Sequence, residues 1–444
     1  MQRLKIVCCY NAANSVLRRR LCLRGIYVFC EPSDFAASTN LMNIVTKDPN
    51  EASWLDPFSD SVKTGEPPSV VLGQLLAAST PTLAEALVAQ RVVTAGQAGL
   101  VLSDAIEESA LLRWGAHLSS AVAAMQPLPS LNADAKSRRE RRRYQEMLLL
   151  DQSRWPDLAS VRNTAFLLCA DHKPPEYGLP RQLYSRRTPE SLISRESFAP
   201  LMDRLISAVS PVEAPTWESS GPVLREALTT IFFETFKNTH DHARSEANGS
   251  DVQNSVRGIY SRFYSIGEIE ASPIAQRLPT ATPAERYLAL FVQRDPKPGV
   301  RAQPRPSVSG FLEISVIDSG PGMAARWLGE RHHQIDHTKQ LEAVLSCFQK
   351  GRTTTGSDGR GFGLWKVLMS LEQLHGFISV RTNAIHAYRQ FGYGLGLSSI
   401  EISSGARVPR EELLDWKKGL STVPSEYPAV KGTVVSFLVP MGAA

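Results

Sequence analysis

Alternation between apolar and polar positions divides this chain into two halves. Early on, the apolar runs at 4–10 and 25–29 predict short strands, and 14–22 reads as a basic helix between them. Residues 46–69 are rich in Asp, Ser and Pro and predict a loop. The Ala-, Leu- and Val-rich stretch at 81–125 predicts two or three buried helices, interrupted by Gly96, Gly99 and Gly115. Residues 171–200 carry many Pro and Arg and predict an irregular connection. Beyond about residue 210 the pattern sharpens. Leu224, Leu228, Ile231 and Phe232 form an apolar stripe within 223–243, and Gly221-Pro222 marks the helix start. Residues 310–317 alternate as a strand. A further helix is predicted from Trp365 to His375, and further strands at 258–266 and 287–293.

Composition narrows the class without naming a function. The chain has 444 residues, 43% hydrophobic and 21% charged, and a net charge of +5. At about 100–200 residues per domain the length predicts two to four domains. These figures exclude a fibrous protein, a disordered protein and a small disulfide scaffold. A charge of +5 over this length does not argue for nucleic acid or an anionic membrane. Its one local concentration is the run at 136–143, with six basic residues in eight, which reads as a solvated helix face. That run, at 138–143 above all, is the single place where a nucleic-acid or acidic partner would find a contact. Six cysteines in so long a chain suggest reduced thiols and a cytoplasmic protein. Cys8, Cys9, Cys22 and Cys30 cluster, but without the paired short loops of a zinc module. No apolar run is long enough to predict a membrane-spanning helix.

Three groups of residues carry chemistry. On the 223–243 helix, Glu234, Asn238 and His242 stand at i, i+4 and i+8, on one face and about 6 Å apart along the axis. A carboxylate there can take a proton from water, and an amide oxygen can ligate magnesium. Next, the strand at 310–317 delivers Asp318 into the turn Ser-Gly320-Pro-Gly322. That carboxylate can accept a hydrogen bond from an exocyclic amine, and the glycines let backbone approach a flat ligand. Last, Lys350-Gly-Arg352-Thr-Thr-Thr-Gly-Ser-Asp-Gly359-Arg-Gly361-Phe-Gly363-Leu364 opens a helix. Free N–H groups and the helix dipole suit it to an anion. It lacks the Gly-Lys-Ser/Thr of a Walker loop and the preceding strand of a dinucleotide fingerprint.

In this order, Glu-x-x-x-Asn, Asp-x-Gly-x-Gly and Gly-x-Gly-x-Gly-Leu resemble the GHKL ATPase superfamily, whose members include gyrase B subunits, ninety-kilodalton heat-shock chaperones, histidine kinases and mismatch-repair ATPases. Gly376–Arg381 and Gly432–Pro440 are similar to the closing strands of a histidine-kinase catalytic domain. The resemblance spans about 215–444. It implies an α/β fold, specifically a two-layer α+β sandwich of Bergerat type, over 211–444. Residues 1–210 would then be a separate region, mixed α/β and largely helical. Insertions are expected at about 244–309 and 384–431, because Asn238 and Asp318 lie 80 residues apart.

The resemblance also implies roles. Glu234 corresponds to the base that polarises water, and Asn238 to the magnesium ligand. Asp318 corresponds to the adenine-recognising carboxylate, with Gly320 and Gly322 shaping its wall. Gly359, Gly361 and Gly363 correspond to the lid glycines, and Lys350 and Arg352 lie in the lid. Thr433 falls near the adenine, and His242 is a candidate ligand contact. The expected ligands are ATP and Mg2+. The expected activity is slow hydrolysis driving a nucleotide-gated switch, with a protein partner and a homodimer as expected assemblies. Two alternatives stay open: phosphorylation of a separate partner protein, and nucleotide binding without turnover. An orthodox histidine autokinase is not expected, because no histidine carries the phosphoacceptor surroundings. His240-Asp241 lies within the site helix, and His117 and His172 have no acidic neighbour.

Overall fold

A computed structural model describes residues 164–442, apart from 186–187, 189, 211–220, 272–281, 292–307, 330–333, 353–360, 392–398, 402–406 and 410. It also describes 69–70, 83–97, 101–102, 118–125 and parts of 139–148. The strands expected at 4–10 and 25–29 and the four clustered cysteines lie outside these residues.

The strands and helices can be numbered in chain order. Two short strands, β1 (Ser69–Val70) and β2 (Val101–Leu102), pair with each other in parallel. The helices of the same stretch are α1 (Ala84–Gln97) and α2 (Leu118–Met125). There follow β3 (Thr164–Ala170), the single-turn α3 (Pro175–Gly178), α4 (Arg195–Val209), α5 (Pro222–His242) and β4 (Val256–Ser265). After them come α6 (Ile266–Glu270), α7 (Pro283–Ala289), β5 (Val308–Asp318), α8 (Met323–Leu328), α9 (His337–Phe348) and α10 (Gly363–Gln373). The chain closes with β6 (Phe377–Asn383), β7 (Ile385–Gln390), β8 (Ser399–Glu401), β9 (Arg407–Pro409), β10 (Leu414–Asp415) and β11 (Val430–Gly442).

Seven strands form one antiparallel sheet in the order β10-β7-β6-β11-β5-β4-β3. Successive residues of a strand point to opposite faces, and here both faces are apolar. From β5, Leu312, Ile314 and Val316 enter a core shared with α4, α5, α9 and α10. From the same strand, Phe311 and Ile317 point the other way. There α1 lies over β11 and β5, α2 over β3 and β4, and α6 beside β4 and β5, while α7 packs with Phe377, Tyr388 and Leu414 towards the β10 side. An apolar sheet face must be covered, so the expected two-layer sandwich becomes three layers. The fold is α/β with helices on both faces.

One further expectation changes, and two regions gain structural detail. Of the expected strand at 287–293, residues 287–289 end helix α7, 290–291 form a turn, and 292–293 lie outside the described residues. Thr282 and Glu285 form a reciprocal capping box before Pro283, and that local signal outweighs the short apolar run. The regions expected as insertions contribute strands to the sheet: β4 lies between β3 and β5, and β7 lies between β6 and β10. The unit also reaches back before residue 210, since β3 is the edge strand and α4 packs beneath it. The helices α1 and α2 answer the expectation of buried helices within 81–125. In the basic run, Arg139, Arg142 and Arg143 are helical and exposed. Among the described residues no helix is long and apolar enough to cross a membrane.

Candidate functional site

Helix α5 presses Leu228, Ile231, Phe232 and Phe236 onto the sheet. The i, i+4, i+8 spacing then puts Glu234, Asn238 and His242 along a neighbouring stripe, and all three line a cavity of about 420 Å³. That volume lies within the range of small-ligand pockets. Helix α10 packs beside α5, and its first residue is Gly363. A Cβ there would fall 2.8 Å from Glu234 Oε2 and 3.7 Å from Asn238 Nδ2. A glycine is what allows the two helices to bring these polar groups to the cavity wall. The Nδ2 of Asn238 is buried and has no hydrogen-bond partner among the described residues. Glu234 Oε1 stands 3.8 Å from Lys366 Nζ, one turn into α10.

The opposite wall comes from the end of β5. Asp318 is buried, and its Oδ1 accepts the Gly320 N–H at 2.9 Å and the Thr433 N–H at 3.2 Å. Burial pushes the Asp318 carboxyl up to about 6. The two N–H donors and the positive charges of Arg257 and Lys431 pull it part of the way back. Asp318, Gly322 and Thr433 line the cavity, while Gly320 does not. Gly320 instead packs so closely on the end of α5 that a Cβ would lie 2.6 Å from Ala243 Cα. Gly322 has φ +88°, and a Cβ there would strike the Asn383 side chain.

The third wall is the approach to α10. Arg352, Gly361, Phe362 and Gly363 line the cavity. Gly361, at φ +91°, lies against the Arg352 backbone, and its carbonyl accepts the Gly351 N–H. Lys350 does not line the cavity; its ammonium lies 5.2 Å from the centre of the Trp365 ring. Gly359 lies outside the described residues.

Several residues of the site have no signal in the local sequence. Arg326 lines the cavity and donates to the carbonyls of His242, Ser245 and Glu246, tying off the C-terminus of α5. Asn383 accepts the N–H groups of Ala324 and Ala325 and donates to Pro321 O, which fixes the glycine turn after Asp318. Lys237, Lys366 and Trp327 also line the cavity. Of these, Lys366 was not expected at the site but has a local signal: it is a cation in the first turn of a helix opened by glycines. With Arg326 and Arg352, the two lysines give this rim four cations, against Glu234, Asp241 and Asp318. The arrangement offers a buried acceptor at one end, an unpartnered amide in the middle and cations beside a helix N-terminus at the other.

Comparison with family models, with curated proteins and with solved structures finds no match to this chain.

Proposed function

We propose that this cavity binds ATP with magnesium, and that the chain is a slow ATPase acting as a nucleotide-gated switch of the GHKL type on a Bergerat-like α/β unit. One observation carries the reading. Residues from three separated segments and the last strand, singled out by their order in the sequence, line one cavity: Glu234, Asn238, Asp318, Gly363 and Thr433.

The residues fit the ligands. Asp318 Oδ1 is occupied by two N–H donors, and its Oδ2 has no partner among the described residues to compete with an exocyclic amine. The Asn238 amide, buried with its nitrogen unpartnered, suits an acceptor-rich group and a cation. The N-terminus of α10, with Arg352 and Lys366, suits the phosphates. Magnesium would supply charge neutralisation of the phosphates when bound. The chain's own part is to orient the nucleotide, exclude water through the apolar walls at Val316 and Val435, and hold a carboxylate at Glu234 to accept a proton. Buried Cys169 is a free thiol, in keeping with a reducing compartment, and we place the chain in the cytoplasm.

Calorimetry with ATP and magnesium tests the reading directly. Wild type should bind, and Asp318→Asn should not. Glu234→Ala should bind but release no phosphate. Unchanged binding in Asp318→Asn would remove the adenine assignment. Incubation with γ-labelled ATP, alone and with candidate partners, separates hydrolysis from transfer to a protein: the chain itself should stay unlabelled.

A further inference from the structure

Helix α1 lies on the side of the sheet away from the cavity, yet it holds the backbone that holds Asp318. The link starts at an irregularity. Between Val430 and Thr433 the pairing of β11 with β6 shifts, and Gly432 takes φ +72°. The shift turns the Gly432 carbonyl out of the ladder. It accepts the Gln90 Nε2 at 3.2 Å, and the Thr382 hydroxyl at 3.3 Å. The same Gln90 nitrogen donates to Arg381 O at 3.0 Å, so one buried side chain bridges β6 and β11 at the irregularity. One turn later, Thr94 Oγ1 accepts the Lys431 N–H at 3.0 Å. The start of the helix is fixed independently, because the Leu83 N–H donates to buried Glu313. Between these points Leu87, Val92 and Val93 share a core with Ile317 and Val434. Two residues after Lys431, the Thr433 N–H donates to Asp318 Oδ1.

We infer that helix 84–97 is a regulatory element of the nucleotide cavity, and that Gln90 is the positioning residue through which it acts on Asp318. The inference rests on the nucleotide reading. Loss of the Gln90 hydrogen bonds, or a shifted helix, would let the Lys431–Thr433 backbone relax and withdraw the Thr433 N–H from Asp318. A nucleotide that needs this backbone in place binds more tightly when the helix is seated. By reciprocity, nucleotide must then seat the helix. The described residues before 164, none of which lines the cavity, thereby gain a route to the site.

The test combines backbone amide exchange with calorimetry on the full chain. Gln90→Met keeps the bulk of the side chain and removes both hydrogen bonds, and Thr94→Ala removes the third. In the ligand-free protein each variant should speed exchange at 431–434 about tenfold, as expected for a lost buried hydrogen bond, with β4 amides unchanged. Each should weaken ATP binding by a similar factor. In wild type, ATP should slow exchange within 84–97, and in Asp318→Asn it should not. Unchanged exchange at 431–434 in both variants overturns the inference. So does unchanged ATP affinity in variants whose wild type binds. Failure of wild type to bind ATP overturns the nucleotide reading instead, and the exchange measurement still decides whether α1 holds the backbone of β11.

Discussion

A Cβ at Gly432 would lie 1.9 Å from the carbonyl oxygen of Asp318. The two positions belong to neighbouring strands whose register pairs Asp318 with Thr433. Backbone meets backbone there, so no side-chain rotation can relieve the contact. Gly432 also has φ +72°, which disfavours any L side chain. Gly432→Ala should therefore cost about 3 kcal/mol, from the combined overpacking and left-handed backbone. The denaturant midpoint measures it. A loss under about 1 kcal/mol would mean that β11 can shift away from β5 without penalty.

Asp318 sets stability and binding against each other. Its folded carboxyl sits at about 6, above the model-peptide value of 3.8. The fold thus favours the protonated form, and stability should fall as pH rises from about 4 through 6, where the buried carboxylate ionises. The difference corresponds to about 3 kcal/mol at most. Asp318→Asn keeps an acceptor for the Gly320 and Thr433 N–H groups and carries no charge. It should match wild type near pH 4 and be more stable at pH 7. ATP binding should run the opposite way, weakening in wild type as pH falls through 6. Denaturation and calorimetry across this range measure both slopes, and parallel slopes would detach Asp318 from the ligand.

Below the cavity, fully buried Arg257 makes a two-pronged pair with Asp171, Nε to Oδ2 at 2.8 Å and Nη2 to Oδ1 at 2.5 Å. Tyr184 accepts from the same Nη2, and Ser255 donates to Asp171. Hydrogen bonds and charge from Arg257 hold the Asp171 carboxyl below its ordinary range against the opposing effect of burial. Without Arg257 the largely buried Asp171 carboxylate keeps only the Ser255 hydroxyl and a longer pair with Arg244 at 3.6 Å. Arg257→Met should cost about 3–5 kcal/mol. Its contribution should be present above pH 4 and vanish on acidification, as Asp171 protonates in the folded state. An equal loss at pH 7 and pH 2 would show that Arg257 acts by packing alone.

The site was far more legible in the sequence than the architecture around it. Glu234, Asn238 and His242 share a helix face, and that periodicity needs no tertiary information. Asp318 follows a strand of clean alternation, so its position at a sheet end was also readable. The second covering layer was not. Phe311, Ile317, Val434 and Leu438 show that the other sheet face is apolar, but nothing local says that α1, over 200 residues before β5, covers it. Strand β4 was visible, but its place between β3 and β5 was not, because β3 ends 86 residues before β4 begins and carries no motif. Asn383 and Arg326 escaped for the same reason: each acts on backbone about 60 to 80 residues away.

Gly363 offers a way to disturb the chemistry without disturbing the fold. It is the first residue of α10, and no left-handed backbone angle is required of it. Alanine is the better helix former by up to about 1 kcal/mol. Its methyl would meet Glu234 Oε2 at 2.8 Å, the far end of a flexible side chain that can swing away. Gly363→Ala should therefore leave the thermal midpoint unchanged or slightly raised. It should also move the Glu234 carboxylate from its place beside Asn238 and Lys366. If Glu234 is the base for water, phosphate release should fall about a hundredfold, within the usual contribution of a positioned base, while ATP affinity changes far less. Equal losses of affinity and turnover would instead place the methyl against the nucleotide itself. Unchanged turnover would free Glu234 of any part in the reaction.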